Sequence, residues 1–238
     1  MFLSIVIPAY NEEKRIKKTL EVIVLFLKKK SYEFEIIIVD DGSKDLTVKK
    51  VEEIRGKNPE IKILKNEKNM GKGYSVKRGV LEANGKFIFF TDADLSTPIE
   101  ELEKFFSEIK NYDIVIGSRA IKGANIAIHE PRYREILGRI FCKFVRFWCV
   151  PGFADTQCGA KMFRRDAAKK IFSLQKLSRF AFDVEILYLA KLYNYRVKEI
   201  PINWFYSADT RVRTFADGVK MLFDLIKIGF IHKFQIWQ

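Results

Sequence analysis

Short β-rich apolar runs alternate, through the first half of the chain, with stretches in which apolar residues recur every three or four positions. The runs at 3 to 7, 34 to 39, 61 to 64, 86 to 91 and 113 to 117 predict strands. Between the first two, Ile16, Leu20, Ile23 and Leu27 share one helix face, with Asn11 as the candidate N-cap. Farther on, Thr97-Pro98-Ile99-Glu100 reads as a capping box with proline at the first helical position. Strand and helix alternating in this way predict parallel strands joined by crossover helices.

The second half is less regular. Residues 132 to 150 predict a basic amphipathic helix, with Arg132, Glu135, Arg139, Lys143 and Arg146 on one stripe and Ile136, Ile140, Phe144, Phe147 and Trp148 over much of the rest. A short strand near 160 to 163, helices near 165 to 172 and 181 to 193, and a strand near 196 to 200 complete the expected core. From 215 the amphipathic theme returns, with Phe215, Val219, Leu222, Phe223, Ile226 and Phe230 opposite Asp217, Lys220, Asp224 and Lys227. Either helix could lie flat on a membrane or pack its apolar face on the core.

Composition narrows the class. With 238 residues, 48% of them hydrophobic, the chain can bury one sizeable core, and we expect a single domain over 1 to 238. Cys142, Cys149 and Cys158 have neither a zinc nor a redox spacing and fit a reducing compartment. The opening Met1-Phe2-Leu3-Ser4-Ile5-Val6-Ile7-Pro8 has no basic leader, and charged residues break every apolar window before it could span a bilayer, so a cytoplasmic location is expected. Residues 1 to 118 carry 21 Lys+Arg against 20 Asp+Glu, whereas 119 to 238 carry 22 against 10, which places nearly all of the +13 in the second half. Such a face concentrates nucleic acid, acidic lipid or a phosphorylated substrate. A nucleic-acid-binding module is the rival from another class, and the chain offers no helix-turn-helix, RRM or zinc motif for it.

Ligands of open parallel sheets bind beyond the carboxyl ends of the strands, and there the polar residues gather. Asp92 and Asp94 follow an apolar strand, and two carboxylates so close repel unless a cation intervenes. A hard divalent ion, Mg²⁺ or Mn²⁺, resolves that repulsion and shares its remaining positions with a diphosphate. Asp40 ends another strand and is placed to accept hydrogen bonds from a base or ribose, while Asp41 and Ser43 read as turn and cap residues for a helix starting near Asp45. Asn69-Met70-Gly71-Lys72-Gly73 is a glycine-rich approach to phosphates without the Walker spacing.

Taken together, Ser4-Ile5-Val6-Ile7-Pro8-Ala9-Tyr10-Asn11-Glu12, Val39-Asp40-Asp41-Gly42-Ser43, Asn69-Met70-Gly71-Lys72-Gly73 and Thr91-Asp92-Ala93-Asp94-Leu95-Ser96 resemble, in order, the inverting glycosyltransferases of family 2. Gly117-Ser118-Arg119, the run from Asp155 to Phe163 and Phe180-Ala181-Phe182-Asp183-Val184-Glu185 are similar to the dolichyl-phosphate sugar synthases, the glucose-transferring branch in particular. That resemblance implies a GT-A, Rossmann-like fold, a mostly parallel sheet flanked by helices, with a nucleotide-sugar half at 1 to 118, an acceptor half at 119 to 214 and a membrane-surface tail at 215 to 238. It also implies that Pro8, Tyr10, Glu12 and Asp40 hold the nucleotide, with Lys72 near it and Asp92 and Asp94 on the diphosphate and metal. Arg119 and Arg134 would hold an acceptor phosphate, Arg211 more loosely, and Asp155 and Gln157 would face the sugar. Ser96 stands where mannosyl relatives usually place a glutamine metal ligand. UDP-glucose is the donor so implied and a polyprenyl phosphate on the cytoplasmic membrane face the acceptor, the alternatives being a GDP-mannose-dependent mannosyltransferase acting on the same lipid or another family 2 enzyme that extends a saccharide.

Overall fold

A computed structural model describes residues 1–128, 138, 145, 149–206 and 214–233. Its centre is a seven-stranded sheet in the order β3-β2-β1-β4-β7-β5-β8. The strands are β1 (Leu3–Ala9), β2 (Phe34–Asp40), β3 (Ile61–Lys65), β4 (Phe87–Phe90), β5 (Ile114–Ser118), β7 (Lys161–Arg164) and β8 (Val197–Pro201). All pairings are parallel except those of β7, which runs antiparallel between β4 and β5. Each expected strand is present, most ending a residue beyond the expected limits.

Both faces of the sheet are covered, which explains why the central strands are apolar at nearly every position. Ile5, Ile7, Ile36 and Ile38 pack with Ile16, Leu20, Ile23 and Leu27 of α1 (Ile16–Lys28), alongside α2 (Thr47–Arg55) and α4 (Leu102–Glu108). Val6, Ile37 and Val39 face the opposite layer, built from α3 (Lys72–Glu82), α5 (Arg165–Leu174), α6 (Phe182–Leu192) and α7 (Thr214–Lys233). Strands β6 (Asn125–Ile128) and β9 (Asn203–Phe205), which hydrophobic patterning does not predict, form a separate parallel pair.

Several local expectations are corrected. Asn11 is not an N-cap: α1 begins at Ile16, and Asn11, with φ of 54°, turns the chain after β1 and accepts a hydrogen bond from the Lys44 amide. Thr97 is not the N-cap: Pro98, extended, takes that position and leads into a 3₁₀ turn over Ile99–Glu101 before α4. The local bond at the start of α2 comes from Asp45, whose carboxylate accepts from the Thr47 amide, whereas Ser43 accepts from the Asn11 amide and Asp41 holds a different loop. Most of the expected 132 to 150 helix, including Arg134, and also Arg211, lie outside the described residues.

Helix α7 departs from the simple amphipathic picture. The stripe singled out by its pattern is not the one that packs: Leu225, Ile228 and His232 are buried, while Leu222, Phe223, Ile226 and Phe230 are exposed. Among the described residues no helix is long and apolar enough to cross a membrane.

Candidate active site

Strand register brings three exits to one edge. Ala9 pairs with Asp40 across β1 and β2, and Val6 pairs with Phe90 across β1 and β4, so Pro8-Ala9-Tyr10, Asp40 and Asp92 arrive side by side. Asp40 is buried, with Oδ2 accepting from the Ser43 amide at 3.2 Å and Oδ1 without a partner among the described residues. A buried carboxylate oxygen left unpaired is costly, and it marks where a ligand's donor would be satisfied.

Its neighbour Asp41 is a latch. Oδ1 accepts from Asn66 Nδ2 and the Met70 amide, both at 2.8 Å, and Oδ2 from the Gly71 amide at 2.9 Å. Gly71 has φ of 104°, and a Cβ there would lie 2.3 Å from the Ser178 carbonyl oxygen, so only glycine lets this loop lie against the 177 to 182 segment. The latch delivers Lys72, first residue of α3, to the carboxylates: its Nζ lies 2.6 Å from Asp92 Oδ1. Burial works against the Lys72 charge, yet Asp92, Asp183 and Asp94 together hold its ammonium above the ordinary lysine range.

The Asp92–Asp94 turn is held from both sides. Thr19 Oγ1 donates to the Ala93 carbonyl at 2.6 Å, the Ser96 amide donates to Asp94 Oδ1 at 2.9 Å, and Leu95 adopts φ of 49°. A non-glycine residue in the left-handed region is strained, as is common where a site dictates backbone geometry. Arg15 pairs with Glu12 and reaches to 3.9 Å from Asp94 Oδ2. Asp92 and Asp94 are half-buried carboxylates on one fixed turn, the donor set a hard divalent ion uses when a diphosphate supplies further oxygens.

A second cluster lies at the end of β5. Arg119 grips Asp155 in a fork, Nε to Oδ2 at 2.7 Å and Nη2 to Oδ1 at 3.0 Å, with its guanidinium 5.1 Å from the centre of the Trp204 ring. Although burial opposes its charge, the Arg119 guanidinium and hydrogen bonds, with help from Lys161, hold the Asp155 carboxyl below the usual carboxylate range. Glu199 of β8 accepts from the Ala154 and Asp155 amides and fixes that corner. Next along the chain, Thr156 Oγ1 and Gln157 Nε2 are buried without partners among the described residues. The clusters meet at Gly159, where a Cβ would stand 2.0 Å from Asp92 Oδ2.

Behind them is a buried ion pair. Lys161 Nζ, on β7, lies 2.5 Å from Asp183 Oδ1 and donates to the Cys158 carbonyl, and neither charged residue reaches solvent appreciably. Burial pushes the Asp183 carboxyl up against the pull of Lys161 and Lys72. Burial also pushes the Cys158 thiol to about 11, which keeps it neutral and unreactive near neutral pH.

The family model described as glycosyl transferase family 2 matches residues 4–172. The chain belongs to glycosyltransferase family 2. It is 38% identical over 251 residues to a dolichyl-phosphate beta-glucosyltransferase of Dictyostelium discoideum, covering 100% of this chain and 77% of the relative. A human protein of the same description is 34% identical over 250 residues, covering 99% and 77%. Among solved structures, glucosyl-3-phosphoglycerate synthase from Mycobacterium tuberculosis with Mn²⁺, UDP and glucosyl-3-phosphoglycerate superposes with a TM-score of 0.63 at 19% identity, covering 95% of this chain and 78% of that one. A mannosyltransferase from Pyrobaculum calidifontis with GDP-Man and Mn²⁺ gives 0.60 at 18% identity, covering 88% of this chain and 57% of that one. The expected GT-A architecture is the one observed.

Within this family 2 glycosyltransferase, the structure gathers Pro8, Tyr10, Asp40, Lys72, Asp92 and Asp94 at the edge, with Glu12 tied in through Arg15. Arg119, Asp155 and Gln157 form the adjoining corner. Sequence reasoning assigned no part to Arg15, Gly159, Lys161 or Asp183. Only the i,i+3 spacing of Glu12 and Arg15 carried a readable signal.

Proposed function

We propose that this glycosyltransferase transfers glucose from UDP-glucose to a polyprenyl phosphate at the cytoplasmic face of a membrane, with Mg²⁺ or Mn²⁺ held by Asp92 and Asp94. The observation that carries the reading is the meeting, at one sheet edge, of the Asp92–Asp94 turn, the Lys72 ammonium and the unpaired Asp40 oxygen. The donor and acceptor follow the description of the relatives as dolichyl-phosphate beta-glucosyltransferases.

In this reading Asp40 Oδ1 accepts from the nucleoside, and Lys72 supplies positive charge to the diphosphate. The metal, when bound, neutralises charge that develops on the leaving diphosphate. A phosphate monoester is already anionic near neutral pH, so the acceptor oxygen attacks the anomeric carbon, with inversion, without a strong general base. Positioning and charge stabilisation then dominate the rate. Arg119, its plane set by Asp155 and Trp204, faces the acceptor phosphate, and Gln157 offers a donor to the sugar. Arg134 and Arg211 would join Arg119 on that phosphate.

Incubating the protein with polyprenyl phosphate, Mg²⁺ or Mn²⁺, and either UDP-glucose or GDP-mannose tests the proposal. A lipid-linked glucose formed from UDP-glucose is expected. A product from GDP-mannose alone would overturn the donor assignment.

A further inference from the structure

Helix α7 is apolar on two sides, and only one is used internally. Its inner side is clamped to α6: Leu225 and Ile228 are fully buried, and His232 Nε2 lies 2.7 Å from Glu185 Oε1. On the outer side Leu222, Phe223, Ile226 and Phe230 follow one another at helical spacing, with Phe223 and Phe230 62% and 67% exposed. Of the other large exposed apolar residues among those described, Met1, Leu25, Leu46 and Phe205 stand apart, and Tyr74 and Leu81 share α3 but are only 38% and 37% exposed, so none forms a run of four as on α7. Scattered apolar residues are ordinary, whereas an apolar stripe along a helix marks an interaction surface.

We infer that this outer stripe docks on an anionic lipid bilayer, with Phe223, Ile226 and Phe230 entering the acyl boundary and Lys220 and Lys227 remaining among the headgroups. The inference rests on the proposed lipid phosphate acceptor, which would lie in such a surface. Charge favours this occupant. Lys220 and Lys227 are exposed beside the stripe, with Asp224 paired to Lys227 at 3.2 Å, and residues 119 to 238 hold 22 Lys+Arg against 10 Asp+Glu. Two such faces brought together would set like charges against each other, while an anionic membrane attracts them and receives the aromatic side chains. The clamp gives the docking a purpose. Glu185 lies two residues beyond Asp183, which pairs with Lys161 behind the site, so a bilayer beneath α7 would be held in a fixed relation to the crevice.

Flotation of the full chain with vesicles of phosphatidylcholine, with and without phosphatidylserine, tests the inference in the absence of donor and acceptor. Wild-type protein is expected to float with the anionic vesicles, and the Phe223→Ser, Phe230→Ser double variant to lose roughly tenfold or more in partitioning. Lys220→Glu with Lys227→Glu should weaken binding to the anionic vesicles only. Because Phe223 and Phe230 point outward, the double variant should keep the wild-type thermal midpoint and its turnover of a water-soluble short-chain prenyl phosphate. Vesicle binding without transfer would leave the docking surface standing and remove the catalytic reading. Equal flotation of wild type and the double variant would overturn the inference, as would a wild-type dimer in sedimentation velocity that the double variant dissociates.

Discussion

Lys72 and Asp92 share no element, yet their charged groups meet at 2.6 Å, one at the first residue of α3 and the other just beyond β4.

 The contact exists because the Asp41 latch holds the 69 to 71 loop against the end of β2. Lys72 balances the paired carboxylates from the protein side and would meet the donor's diphosphate from the same position.

Replacing Lys72 with Met should therefore lower kcat/KM for the donor by about 10²-fold, the scale for removing one charged group from a developing anion. Steady-state kinetics at saturating acceptor checks this. The midpoint of thermal unfolding should change far less than activity does.

Gly159→Ala tests how closely the two clusters fit. A Cβ would stand 2.0 Å from Asp92 Oδ2, so the carboxylate must move or the 155 to 159 turn must shift. Transfer activity should fall at least about tenfold, since small displacements of catalytic groups are expensive. A circular dichroism spectrum like that of wild type would show that the sheet survives.

The Lys161–Asp183 pair should behave as a buried ion pair. Removing one partner, as in Lys161→Met or Asp183→Asn, is expected to cost about 3–5 kcal/mol in denaturant unfolding, because an uncompensated charge or polar group stays buried. Lys161→Met combined with Asp183→Leu should recover much of that loss. Activity should not recover with it, since Asp183 also acts on Lys72.

Asp155 sets a pH dependence. Its carboxyl is held below the ordinary range in the folded chain, so its contribution to stability is present above the unfolded value, about 3.9, and is lost as pH falls toward the folded value. Arg119→Gln removes the main partner and raises that folded value. The acid-unfolding midpoint, followed by fluorescence, should then move to higher pH.

Much of this was readable beforehand because it is local. Apolar runs such as Phe87–Phe90 ending in Asp92 declare both a strand and its exit, and the resemblance placed Asp40, Lys72 and Asp94 at the same edge. Long-range pairings were not readable. Nothing near Lys161 in the sequence announces Asp183, and nothing near Gly159 announces that Asp92 packs on it. The antiparallel insertion of β7 between β4 and β5 likewise depends on tertiary order. Periodicity showed that α7 has an apolar stripe, but a helix with two such stripes does not declare which one meets the core. Asp41 looked like a cap because aspartate favours turns, whereas its bonds run to Asn66, Met70 and Gly71.

The proposed reaction requires Asp92 and Asp94 to bind the donor's diphosphate through a divalent metal. Calorimetric titration of UDP-glucose into wild type and Asp94→Ala, each with and without Mn²⁺, tests it most directly. Binding to wild type that requires Mn²⁺, and is lost in the variant, is the expected result. Equal donor affinity in the variant, or affinity indifferent to the metal, would contradict the account.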